Sequence, residues 1–468
     1  MLNGRSYLIL CAILILVPAA AFAADPTHLF RKVVLEANCN DPMELTVTPD
    51  GRVIFVERHG RVRLWKPDTK KTVLAANVPV HANYNGSKEG SWEDGLLGIR
   101  LAPGFATNHW LYLYYSPTNA SENRLSRFVL NGEELDLASE KIILRVGTQR
   151  EICCHAAGSI AFDAQGNLFL STGDNTNPFE SDGYSPTDYR PRRYPFDAAK
   201  SAGNANDLRG KIVRIHPEPD GSYSIPEGNL FSKGTPKTRP EIYIMGCRNP
   251  FRISIDQHTG TLYWGEVGPD AREINPQRGP AGFDEINRAT RAGNYGWPFI
   301  IADNKPYRAY DFATKTTGAA FDPKAPRNSS PNNTGPEELP PAQPAWIWYP
   351  YSLSSRFPQL GSGGRTACAG PVYYFDPQLR SARKLPAEYD HTLFIYEWVR
   401  NWIMAVKLDA NGEMVSIKPF ASDIKLKRPA EMELGPDGAL YVIEFGTNWE
   451  KNKDSQIVRI EAVAATPD

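Results

Sequence analysis

The chain has 468 residues, a formal net charge of -1 and 11% aromatic residues, enough to bury a large core. With no basic run and near-balanced charge, nothing in it fits a nucleic-acid or anionic-membrane partner. Its six cysteines form no CxxC pair and no CxxCH, so a zinc cluster and a haem attachment site are excluded as readings.

At the N-terminus, Arg5 is followed by the apolar run "YLILCAILILVPAA" and the small-residue stretch "AFAADP". This pattern predicts a signal peptide over residues 1–23 and a mature protein exported to the periplasm or secreted. Cys11 lies inside the run, but "LILC" lacks the small residue that a lipid-anchored cysteine needs before it. No later segment approaches the roughly 20 apolar residues that span a bilayer.

From there one pattern recurs: alternating apolar residues, a tight Asp/Gly turn, then a β-branched or aromatic strand. It reads "MELTVTPDGRVIFVERHGRVRLW" from Met43, "LLGIRLAPGFATNHWLYLYYS" from Leu96 and "SIAFDAQGNLFLSTGD" from Ser159. It returns as "RISIDQHTGTLYWGEVG" from Arg252, "LPAEYDHTLFIYEWVRNWIMAVKLD" from Leu385 and "MELGPDGALYVIEFG" from Met432. Period-2 alternation on both sides of a turn is a hairpin signal, and further strands such as "GKIVRIHP" follow several copies. Six such units predict an all-β fold, a six-bladed β-propeller over residues 24–468, in preference to a β-sandwich with chance Asp-Gly turns. Residues 175–208 and 303–345 are rich in Pro, Asn, Asp, Gly and Ser and read as long loops able to build a site on one face. Residues 322–343 read equally well as a surface insertion.

"EICCHAAGSIAFDAQGNLFLSTGDN", residues 151–175, sets Cys153, Cys154 and His155 side by side. Adjacent Cα atoms lie about 3.8 Å apart across a trans peptide, less than the usual disulfide span. A bond between the two cysteines therefore stiffens the backbone where His155 projects; as reduced thiols they pack as small buried residues. Without Cys11 five cysteines remain, so at least one thiol stays free or pairs between chains.

Read in order, "GLLGIRLAPGF…LYLYYS", "HAAGSIAFDAQGNLFLSTGD", "GKIVRIHP…DGSYSIPEGNLF", "CRNPFR", "GEVGPD" and "DEINRATRAGNYGWP" resemble the soluble PQQ-dependent sugar dehydrogenases, the glucose/sorbosone dehydrogenase family, from about residue 40 to 460. The resemblance implies a six-bladed propeller that oxidises a sugar or related polyol by hydride transfer to PQQ, with calcium as a second cofactor. It implies His155 as the base for the substrate hydroxyl; an imidazole free in water titrates near pH 6.5, suited to that task. Arg248 and Asn249 match the pair over the quinone, where a fixed cation serves the carboxylates and the reduced ring. Gly268 and Pro269 match the loop whose carbonyls hold the calcium, and Glu285 matches a residue near structural calcium sites. "NYGWP" at 294–298 reads only as a turn that fills the core. No cytochrome domain is fused, so electrons pass to a separate acceptor: a cytochrome, a quinone or a dye.

The family pattern is broken at several points. Glu93 stands where the family has a quinone-contacting Gln, and Cys154 where an Asp precedes the catalytic histidine. The lysine of the fifth blade falls on Val399, beside Arg400. Of two arginines before the last "PDG" turn, one aligns with Arg428 and the other with Ala430. Fewer cations and a new carboxylate weaken a site for a tricarboxylate, and Arg365 and Arg400 are the cations available to compensate. If bonded, Cys153 and Cys154 replace the missing Asp as the device that orients His155. Two other function classes compete. One is a calcium-dependent propeller lactonase or esterase, drawing ligands from Asp94, Asn249 and Glu93. The other is a non-catalytic sugar-binding propeller that has lost its cofactor.

Overall fold

The computed structural model describes residues 29–82, 93–449 and 452–463; the leader over 1–23 lies outside them. Six blades are arranged in a ring: five are four-stranded antiparallel sheets, and the third is part of a six-stranded sheet in which Ile242–Met245 pairs in parallel with Gly293–Asn294. Their inner strands are Pro42–Val47, Leu96–Leu101, Ala157–Phe162, Pro250–Ile255, Ala367–Tyr373 and Pro429–Leu434. Each inner strand packs on the next, and the sixth packs on the first. Phe30–Glu36, the first strand described, pairs with Gln456–Ala462 as the outermost strand of the last blade. Chain start and chain end thus close one sheet, which leaves no free edge at the seam.

Burial explains why these sequences make blades. The second strands Val53–Glu57, Leu262–Glu266, Thr392–Glu397 and Leu440–Glu444 are buried at every position, because both faces of a blade are covered by neighbours. Outer strands such as Lys71–Asn77 are largely exposed or half-buried, with Ala75 the buried residue of that strand. The turn between the first two strands of blade one uses Gly51 at φ +83°, a conformation only glycine adopts without cost. The fifth predicted unit is out of phase. Its hairpin, Thr392–Glu397 with Trp402–Leu408, forms the second and third strands of that blade, and Ala367–Tyr373 is the inner strand. The Pro- and basic-rich connection after Tyr373 carries no tight Asp-Gly turn, so this hairpin left no mark in the sequence.

The two long loops clasp each other over blades three and four. Asn328 donates from Nδ2 to the carbonyls of Ala199 and Gly203, at 2.7 and 2.9 Å. Asp197 accepts from Ser330 and Asn332. The 322–343 stretch is therefore packed against the body rather than a free insertion. Along the axis, Arg252 is fully buried and bridges blades: Nε donates to the Ala430 carbonyl at 2.8 Å and pairs with Glu431 at 2.6 Å, and Nη2 donates to the Met43 carbonyl. Glu44 accepts from the backbone of Ile99 at 2.7 Å and Ile160 at 3.4 Å.

Candidate functional site

Ring geometry brings the starts of the inner strands to one mouth, and the residues just before them are Asp94, His155, Arg248 with Asn249, Arg365 and Arg428. His155 sits at φ +66° and is 5% exposed. Its Nδ1 lies 2.7 Å from Oδ1 of Asp174, which is fully buried. That carboxylate also accepts from the Thr176 backbone at 2.9 Å and, on Oδ2, from the Trp297 indole at 2.8 Å. With acceptors only on the carboxylate, His155 carries its proton on Nδ1, and Nε2 holds the lone pair. Gly173 lets the His155 carbonyl approach: a Cβ there would lie 2.1 Å from it.

Cys153 and Cys154 are joined as a disulfide, with Cα atoms 3.2 Å apart. They do not orient the imidazole; Asp174, from the next strand end, does so, which corrects the sequence expectation. The turn before His155 is held instead by Gln149, whose Oε1 caps Glu151 and Ile152, and by Asn175, which exchanges bonds with the Gln149 backbone. Glu93 accepts from the Ala156 N–H at 2.9 Å. In place of an amide, then, a carboxylate caps the residue after the histidine. Trp297, read from sequence as core filling, is a hydrogen-bond partner of the site. Asp174 lies in the quoted "STGD", and nothing local in that motif marks it as the histidine's partner.

Asp174 ties the histidine to the fourth blade, since its N–H donates to the Arg248 carbonyl at 2.8 Å. The backbone N–H groups of Arg248 and Asn249 both donate to Oε1 of Glu266, at 2.8 and 2.6 Å. Burial pushes the Glu266 carboxyl up to about 8, and the nearby Glu285 charge adds to this. The same device recurs where second strands end: Glu57 accepts from Asn40, Glu397 from Thr366 and Arg400, and Glu444 from Lys427. These buried carboxyls satisfy N–H groups that the sheet cannot, as buried donors require. The Arg248 side chain donates to the Val267 carbonyl at 2.9 Å and stands 3.7 Å from Asp270. Oδ1 of Asn249 is buried with no protein partner.

Other predicted ligands are committed elsewhere. Arg400 spends all five donors on the carbonyls of Pro350, Leu360, Gly361, Gly363 and Gly364, so it braces a loop and has nothing left for a cofactor. Glu285 accepts from the Ala302 N–H at 2.6 Å and from Asn287 at 2.8 Å, which braces the 302 turn, and burial pushes it up to about 7. Arg428 lies over Trp398 and Trp449, 4.3 and 5.0 Å from the ring centres. Its Nη1 is buried and without a hydrogen-bond partner.

The calcium loop does not fit its ion. The Pro269 carbonyl accepts from Nη2 of Arg365 at 2.7 Å, and the Gly268 N–H donates to Asp284 at 3.1 Å. Among the described residues no group of three or more His, Cys, Asp or Glu could hold a metal.

His155, Glu93, Asp94, Cys154, Asn175 and Arg209 line a cavity of about 20 Å³, room for a water-sized group. A neighbouring cleft of about 610 Å³ shares Thr148, Gln149 and Arg209 with it; His155 lines the small cavity and not the cleft.

Six blades closed into a ring, with a histidine–carboxylate pair and arginines gathered at one mouth, make this a β-propeller with a polar site on its axis. The particular family follows from comparison: residues 39–329 match the Glucose / Sorbosone dehydrogenase family, and the chain belongs to it. An uncharacterised protein of Synechocystis is 26% identical over 90% of this chain and 84% of its own length. Aldose sugar dehydrogenase YliI of Escherichia coli is 28% identical over 61% of this chain and 66% of its own. Quinoprotein glucose dehydrogenase B of Acinetobacter calcoaceticus is 24% identical over 64% and 58%. In fold, the chain is similar to the PQQ-bound aldose sugar dehydrogenase of Streptomyces coelicolor, with a TM-score of 0.56 at 19% identity, covering 94% of this chain and 100% of that one.

Proposed function

We propose that the protein is an exported oxidoreductase that oxidises a CH–OH group of a sugar or related polyol, with PQQ as cofactor and His155 as general base. The single observation that carries this reading is the His155–Asp174 pair at the propeller mouth, in a chain of the sugar dehydrogenase family. The residues present suit PQQ. The buried, unpartnered Asn249 Oδ1 and Arg428 Nη1 are groups that a polar cofactor would satisfy, and Arg248 and Arg428 supply cations for its carboxylates. Because the cavity at His155 holds only a water-sized group, the cofactor would lie over the open strand starts. When bound, the quinone supplies the two-electron acceptor for the substrate hydride.

The protein's own part is acid–base and electrostatic. Nε2 of His155 takes the hydroxyl proton of the sugar as the C–H bond breaks. Asp174 fixes the tautomer and steadies the imidazolium that forms. Arg248, anchored through its backbone to Glu266 and Asp174, presents fixed positive charge for the negative charge that develops. Electrons then leave to a separate soluble or membrane-borne acceptor.

The test is reconstitution with PQQ followed by steady-state dye reduction with a panel of aldoses. A positioned base contributes roughly 10²–10⁴-fold in rate, so His155→Ala is expected to lose turnover on that scale with PQQ titration near normal. Arg248→Ala is expected to lose both. Wild-type protein that binds no PQQ would favour the sugar-binding reading, to which the full commitment of Arg400 already lends support.

A further inference from the structure

Gly268 and Pro269 belong to a loop that its relatives' pattern assigns to calcium, yet a side-chain cation is already seated there. The Arg365 side chain is 1% exposed. It donates from Nη2 to the Pro269 carbonyl at 2.7 Å and from Nη1 to Oδ1 of Asp284 at 2.8 Å. Both oxygens of Asp284 are engaged, since Oδ1 also accepts from the Gly268 N–H and Oδ2 accepts from the Ala367 N–H at 2.9 Å. Gly282 presses on the same carbonyl, where a Cβ would lie 1.6 Å from its oxygen and 3.1 Å from Nη2 of Arg365. The Tyr351 ring covers the guanidinium at 4.0 Å and donates its hydroxyl to Asp270 at 3.0 Å. A divalent ion on this carbonyl would meet a buried positive charge already hydrogen-bonded to the same oxygen at 2.7 Å, and the nearest buried carboxylate, Asp284, is paired to that charge.

We propose that Arg365 takes the place of calcium: its guanidinium, paired with Asp284, closes the 267–271 loop, and the site assembles without a divalent cation. A guanidinium suits the exchange because it offers several directed donors at once and stays charged when buried. The inference concerns the loop itself and rests on the PQQ reading only in the last arm of its test.

The experiment uses the full chain, stripped with EGTA and then returned to about 5 mM calcium, above the dissociation constants of weak protein calcium sites. Terbium is the direct probe, because Tyr351 stands close enough to sensitise an ion on the Pro269 carbonyl. Wild type and Tyr351→Phe are expected to give equal terbium emission. A Tyr351-dependent signal that calcium displaces overturns the proposal, whether or not PQQ binds. Arg365→Gln is expected to melt at a lower temperature in either buffer; melting like the wild type would show that the guanidinium does not hold the loop, and the proposal would fall. PQQ titrations in EGTA and in calcium are expected to coincide, and an affinity gain of about tenfold on adding calcium would also overturn it. If PQQ binds in neither buffer, the cofactor reading fails and the terbium and melting arms still decide.

Discussion

Asp174→Asn is the sharpest probe of the site at the scale of single residues. The amide keeps the shape but leaves one acceptor oxygen, which serves either Thr176 or Trp297 and not both, and with its NH2 turned to His155 it no longer favours a proton on Nδ1. We expect kcat to fall roughly 10²–10⁴-fold, the worth of a positioned base, with KM and PQQ binding little changed. Steady-state kinetics resolved into kcat and KM check this; a loss confined to KM would remove Asp174 from the role. The contrast shows what sequence conveys. His155 and Arg248 were legible because each stands in a motif of contiguous residues. The partners of Asp174 were not: they lie 19 and 123 residues away and meet it only once the blades are stacked. Cys154 misled for the same reason, being adjacent in sequence to a histidine that another strand holds.

At the scale of the blade, the carboxyl that ends a second strand and caps the next inner strand separates charge from hydrogen bonding. Glu266→Gln retains an acceptor for the Arg248 and Asn249 N–H groups, so its stability near pH 7 should match the wild type. Glu266→Ala leaves two buried donors unmet, each costing about 1–3 kcal/mol, and should also weaken PQQ binding because Arg248 and Asn249 lose their anchor. Urea denaturation and PQQ titration of the two variants make the comparison. The six-unit reading survived because hairpins carry their own turn chemistry. The fifth unit slipped by one strand because its first hairpin is joined by a long connection, and nothing in a strand's composition tells inner from second position.

For the molecule as a whole, three of the buried carboxyls described above set the direction of its pH response. Burial raises Glu266 to about 8, and Glu285 and Glu397 to about 7, against 4.5 for each unfolded. The folded chain therefore holds more protons than the unfolded chain between about pH 4.5 and 8, and stability falls as pH rises through that window. Urea midpoints measured from pH 5 to 8.5 should decline, and Glu266→Gln should flatten the upper part of the curve. A midpoint that climbs steadily over that range would contradict the assignment. The Arg252 guanidinium, locked between Met43, Ala430 and Glu431, ties three inner strands together close to the strand starts where His155 stands. On the proposed function, a sugar and an acceptor that both approach by the mouth at His155 would take turns there, so the two half-reactions should alternate. Double-reciprocal plots at several acceptor concentrations should run parallel; lines that converge would mean that both reactants occupy the mouth together.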